Sequence, residues 1–200
     1  MKIEISGVRT PVDAGDVNEA MPDYAAFVLT EGYKKTVSEE TAKILSKFMD
    51  PTIGRVGVFV NDEPARIKRL VYNGLIDIVQ LHGDEDDDYI NELKSGEGSI
   101  VKVFKIDGNF DLEKAEKCAA DMIMFESSDQ DSPVDTEKIK GCKRPFIVKE
   151  SAENGKIKET VENLKGSNLF AISIGSSVGK GSNHLDAALM AQVVNEAHAC

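Results

Sequence analysis

The chain has 200 residues, 41% of them hydrophobic, which is enough for one domain around a substantial core. Its 35 acidic residues outnumber 24 Lys and Arg, and the formal net charge of −11 repels phosphate backbones and anionic lipid, so nucleic acid is excluded as an expected partner. The start alternates Lys and Glu with Ile instead of presenting an apolar h-region, and no run approaches the roughly 18 apolar residues of a membrane span, so a cytoplasmic protein without membrane contact is expected.

Along the chain, short β-rich runs alternate with amphipathic stretches. KIEIS precedes a helix from Pro11 to Ala20, YAAFVL one from Ser38 to Met49, and RVGVFV one from Glu63 to Asn73. DIVQLH is then followed by Asp86 to Lys94, SIVKVFKI by Asp111 to Cys118, and DMIMFE by Asp135 to Lys140. PFIVKE with Asn154 to Lys165 and LFAISI with His184 to Ala197 complete eight strand–helix pairs. Ser38 ahead of Glu40-Thr41, and Asn61-Asp62 ahead of Glu63-Pro64, offer side-chain oxygens to the free N–H groups of helix starts. No linker or low-complexity segment interrupts the series, so residues 1–200 are expected to form a single domain.

Hydrophobic strands such as RVGVFV suit a parallel sheet covered by helices. Eight βα units point to an α/β protein with a (β/α)8 TIM barrel. The rival is an open doubly wound sheet, but no G-x-G-x-x-G follows the first strand. Cys118, Cys142 and Cys200 are odd in number and lack metal-ligand spacing, and the three histidines are scattered. They are read as reduced thiols and as no metal site.

Barrel enzymes keep their sites at the C-terminal ends of the strands. There the sequence places Ser6-Gly7 with Arg9, Asn61, Gln80-Leu81-His82, Glu126, Lys149-Glu150 and the Gly175-to-Gly181 loop. Gly175, Ser176 and Ser177 leave backbone N–H groups open for a phosphate, with Lys149 and Lys180 as counter-charges, or they form a plain turn before the last helix. His82 has two readings: it hydrogen-bonds or polarises a substrate group, or it ties its βα-loop. Arg9 meets an anion or pairs with one of the many carboxylates.

Two blocks, Arg55-Val56-Gly57-Val58-Phe59-Val60-Asn61 and Val79-Gln80-Leu81-His82-Gly83-Asp84, resemble the phosphoribosylanthranilate isomerase family, whose members carry R-V-G-V-F-V-N and V-Q-L-H-G and begin K-I-C-G-x-[TR]. The resemblance spans essentially the whole chain. It implies a barrel enzyme of tryptophan biosynthesis that rearranges an aldose to a ketose without cofactor or metal, on a phosphosugar substrate, as a monomer or homodimer. It also implies a cysteine base and a strand-six aspartate acid; at those positions stand Ser6 and Glu126, the candidate catalytic pair.

Arg9, Lys35, Asn61 and His82 are the candidate substrate-binding residues, with Lys35 where the family places an arginine suited to a carboxylate. The sequence departs from the family elsewhere. Glu4 replaces a lysine, Ser173 an aspartate, Lys149-Glu150 a pair of glycines, and the glycine-rich segment after strand six is absent. Ser6 is either a small filler of the thiol's space or a hydroxyl working with Glu4. Two functions follow: an isomerase with a substituted acid–base pair, or a repurposed barrel that binds another ligand or protein partner at its mouth.

Overall fold

The structure is a computed structural model and describes residues 1–33, 35–129, 132–153, 155–175 and 184–200. Eight parallel strands close into a barrel in sequence order, with the first strand paired to the last. They are β1 (Lys2–Ser6), β2 (Tyr24–Val28), β3 (Gly54–Phe59), β4 (Ile78–Leu81), β5 (Ser99–Ile106), β6 (Met122–Ser127), β7 (Phe146–Glu150) and β8 (Leu169–Ile174). The helices are α1 (Pro11–Ala20), α2 (Glu39–Phe48), α3 (Pro64–Tyr72), α4 (Asp87–Leu93), α5 (Leu112–Lys117), α6 (Lys156–Asn163) and α7 (Ala187–Ala199). Among the described residues no helix is long and apolar enough to cross a membrane.

Strand alternation divides the side chains into two layers. Inside the barrel lie Ala26, Val56 and Val58 on one side and Val101, Val103, Met124, Ile147 and Ala171 on the other. Outside, Phe27, Phe59, Phe125 and Phe146 are fully buried beneath the helices. The register sets Glu4 beside both Tyr24 and Ser173, which puts a carboxylate among the inward positions.

Caps determine several helix starts. Pro11 opens α1, and Thr10 and Asp13 form a reciprocal capping box. Ser38 accepts from the Thr41 N–H, as its position suggests, and Asp86, Asp111 and Asp186 cap α4, α5 and α7. Asn61 does not cap α3: Glu63 is the N-cap and makes no side-chain bond there.

The helix expected over Asp135 to Lys140 is one 3-10 turn, Thr136–Lys138. Ile139, fully buried, anchors the tight turn that stands there.

Candidate active site

Ser6, Asn61, His82, Glu126, Lys149 and Gly175 all stand at or just beyond the C-terminal ends of their strands, and so at one end of the barrel. The floor of this mouth is polar. Glu4 is 2% exposed; the Ser173 hydroxyl donates to its Oε1 at 2.7 Å, and the Gln80 amide nitrogen donates to its Oε2 at 3.0 Å. Burial pushes the Glu4 carboxyl above its ordinary value, opposed by these hydrogen bonds and by the charge of Lys149.

One step up β4, the Gln80 carbonyl oxygen lies 2.8 Å from His82 Nε2. Burial brings the His82 imidazole down to about 4, against the opposing pull of Glu126, so the ring is neutral at neutral pH. Its ring bonds inward to Gln80 and not to its own βα-loop. That loop is tied by other groups. The Asn61 N–H donates to Glu85 Oε1 at 2.7 Å, and Asn61 Oδ1 accepts from the Asp84 N–H at 2.8 Å. Lys102 donates to the Gly83 carbonyl at 2.6 Å and to Glu85 Oε2 at 2.7 Å. A Cβ on Gly83 would lie 2.4 Å from Asn61 Oδ1, so only glycine fits between the two loops. Asn61, a candidate for substrate contact, thus has its side chain committed to joining loops.

Glu126 is 7% exposed and accepts from Lys149 Nζ at 2.7 Å. Burial alone would raise its carboxyl, but the charge and hydrogen bond of Lys149, with smaller contributions from His82 and Lys105, outweigh it and hold Glu126 below the ordinary value. It is a carboxylate at neutral pH. Lys149 also lies against the end of β8, its Cε 3.2 Å from where a Cβ on Gly175 would be. Ser176, Ser177 and Lys180 lie outside the described residues. Glu150 turns away from the mouth, where Thr160 of α6 donates to it at 2.7 Å.

The Ser6 hydroxyl has no hydrogen-bond partner among the described residues, and Glu4 is taken up by Gln80 and Ser173. Gly7 follows with a φ of +92°, and the Lys35 side chain lies across it, Cδ 3.1 Å from a Cβ position there. The Lys35 ammonium is buried without a hydrogen-bond partner among the described residues. Burial and the neighbouring Arg9 charge lower its pKa, while Asp13 opposes them. A cation so placed is a ready anion site. The Arg9 N–H donates to Asp13 Oδ2 at 2.9 Å, which holds the β1–α1 turn beside it.

A cleft of about 900 Å³ runs from His82 and Glu126 past Lys102 and Lys105 to Lys114 of α5. A second cavity, about 520 Å³, lies at the opposite end of the barrel between Met1, Leu164 and Cys200 and holds no acid–base pair of this kind. The sequence reading placed Ser6, His82 and Glu126 at the mouth but gave Gln80 no role and left Lys149 unpaired. Parity carries the missing signal: Gln80 and Glu4 are polar residues at inward positions of buried strands, and such groups need partners.

The sequence profile of the family described as N-(5'phosphoribosyl)anthranilate (PRA) isomerase matches residues 3–196. The N-(5'-phosphoribosyl)anthranilate isomerase of Endomicrobium trichonymphae is 33% identical over 184 residues, covering 88% of each chain. Among solved structures, phosphoribosyl anthranilate isomerase from Thermotoga maritima superposes with a TM-score of 0.87 at 21% identity, covering 100% of both chains. A phosphoribosyl anthranilate isomerase in complex with reduced 1-(o-carboxyphenylamino)-1-deoxyribulose 5-phosphate gives 0.85 at 22% identity over 100% of both.

Proposed function

We infer the function of this chain from one premise: it belongs to the N-(5'-phosphoribosyl)anthranilate isomerase family of tryptophan biosynthesis. The chain rearranges phosphoribosylanthranilate, an aldose-derived amine, to its ketose isomer. Glu126 carries this reading: it keeps a carboxyl group at the strand-six position of the family's acid, buried, and paired with Lys149 at 2.7 Å.

In the reaction the bond from C1 to the ring oxygen breaks, its electron pair goes to that oxygen, and a proton from the Glu126–Lys149 pair neutralises it. The lone pair of the anthranilate nitrogen forms an iminium at C1. A base then removes the proton on C2, the electrons return to nitrogen through a new C1–C2 double bond, and this enolamine becomes the ketose as C1 gains a proton and the C2 hydroxyl loses one. The steps are redox-neutral, so the proposal includes no cofactor or metal.

Two anionic handles orient the substrate. The buried Lys35 ammonium, with Arg9 near it, suits the anthranilate carboxylate. Gly175, with no Cβ to obstruct its backbone, suits the phosphate together with the Lys149 N–H groups not engaged by Glu126; Ser176 and Ser177 complete that subsite in this proposal. Ser6 fills the space of the family's thiol, since no base stands beside its hydroxyl. The protein works in the cytoplasm as a monomer or homodimer.

The test is turnover of phosphoribosylanthranilate by the purified chain, with complementation of a tryptophan-requiring strain lacking this isomerase. Growth and turnover are expected, and Glu126→Gln should lower kcat by about 10²–10⁴-fold. Neither growth nor turnover would leave the other reading, a barrel whose rebuilt mouth binds a different ligand or protein partner.

A further inference from the structure

The isomerase reading leaves the reaction without a base for the C2 proton. We propose that His82 Nδ1 is that base, and that Glu4, acting through Gln80, fixes the ring in the tautomer that makes it one. The inference rests on the isomerase reading for its substrate and on the hydrogen-bond order for its chemistry.

With Glu4 ionised, the order admits one solution. Glu4 Oε2 accepts from the Gln80 amide nitrogen. An ionised Glu4 can only accept, from the Gln80 amide nitrogen and from the Ser173 hydroxyl 2.7 Å away. Gln80 therefore turns its carbonyl oxygen to His82. A carbonyl oxygen only accepts, so the nitrogen 2.8 Å from it, Nε2, must carry the hydrogen. The neutral imidazole then has its lone pair on Nδ1, which has no hydrogen-bond partner among the described residues.

Position agrees with this assignment. His82 and Glu126 both line the cleft at the mouth, so a sugar between them meets the Glu126–Lys149 pair on one side and the His82 ring on the other. The charged groups that act on the ring are Glu126 from β6, Lys149 from β7, Lys102 from β5 and Glu85 from its own loop; two are anionic and two cationic. The base is needed because Ser6 has replaced the thiol and its hydroxyl has no partner to deprotonate it. When the C2–H bond breaks, Nδ1 takes the proton and the bond pair forms the C1–C2 double bond. The imidazolium that results is stabilised by the Glu126 carboxylate and by the Nε2–H bond to Gln80. Glu4 and Gln80 are positioning residues in this scheme and touch no substrate.

Two measurements test it. In ¹⁵N-labelled protein, the two-bond couplings of the His82 ring should show the neutral Nε2–H tautomer at neutral pH; an Nδ1–H ring overturns the proposal independently of any activity. For turnover, His82→Gln keeps an N–H donor near the Nε2 position and deletes Nδ1. If His82 only braces Gln80, this variant stays within a few-fold of wild type. If Nδ1 is the base, kcat falls about 10²–10⁴-fold with the melting temperature retained. Active wild type with active His82→Gln defeats the base alone. Wild type without turnover defeats the isomerase reading, and the base with it.

Discussion

Glu4 holds a carboxyl group at the centre of the barrel where the resemblance expects lysine, and the residue bonded to it, Ser173, stands where it expects aspartate. An acid, an alcohol and the Gln80 amide form the buried cluster there. The exchange has a pH signature. The folded carboxyl titrates above its ordinary value because burial disfavours its charge. Its contribution to stability is therefore complete below the unfolded pKa, near pH 4, and is lost as pH rises through the folded value. Glu4→Gln, which stays neutral throughout, should match wild type in acid and melt at a higher temperature at neutral pH. Thermal melts across that range decide it; a variant that melts lower at neutral pH would mean the ionised Glu4 is fully satisfied by its two donors.

Loops at the ends of β3 and β4 are joined from the outer layer of the barrel. Lys102 of β5 points outward, and its ammonium meets Glu85 with side-chain exposures of 8% and 1%. Glu85 also takes the Asn61 N–H, so one buried ion pair ties the ends of β3 and β4 to the middle of β5 beside His82. Such a pair adds little net stability, but breaking it from one side strands a charge. Lys102→Met should cost about 3–5 kcal/mol in denaturant unfolding, and the double variant Lys102→Met with Glu85→Gln should recover most of that loss. A single variant within 1 kcal/mol of wild type, on the order of a surface pair, would show that water reaches Glu85.

At the scale of the molecule, the barrel closes where its first and last strands pair with each other. The closing seam is covered by α7, which buries Met190, Val193, Val194 and Ala197. The three larger side chains contribute about 1.5–3 kcal/mol each, a sum comparable with the roughly 5–15 kcal/mol net stability of a whole domain. A chain ending at Asp186 should therefore show no cooperative thermal transition, and circular dichroism with a melt would check it. A retained sharp transition would mean that α1 and the strand seam suffice without the last helix.

Local pattern was enough for much of this. Strands are short and apolar, helices carry caps and amphipathic spacing, and both signals act over a few residues, so the eight-unit order and the barrel were legible in the chain itself. The mouth positions of Ser6, His82 and Glu126 followed from counting to strand ends. The helix expected after strand six did not: a 3-10 turn stands there, with Ile139 buried beside it. Partner choice was beyond the sequence as well. Glu4 with Gln80 and Ser173, and Glu126 with Lys149, are separated by 76, 169 and 23 residues, and only closure of the sheet brings them within hydrogen-bond distance. The sequence determined which residues face the mouth; the closed barrel decided which of them hold a proton and which hold each other, because protonation follows burial and neighbouring charge, and both exist only once the strands have met.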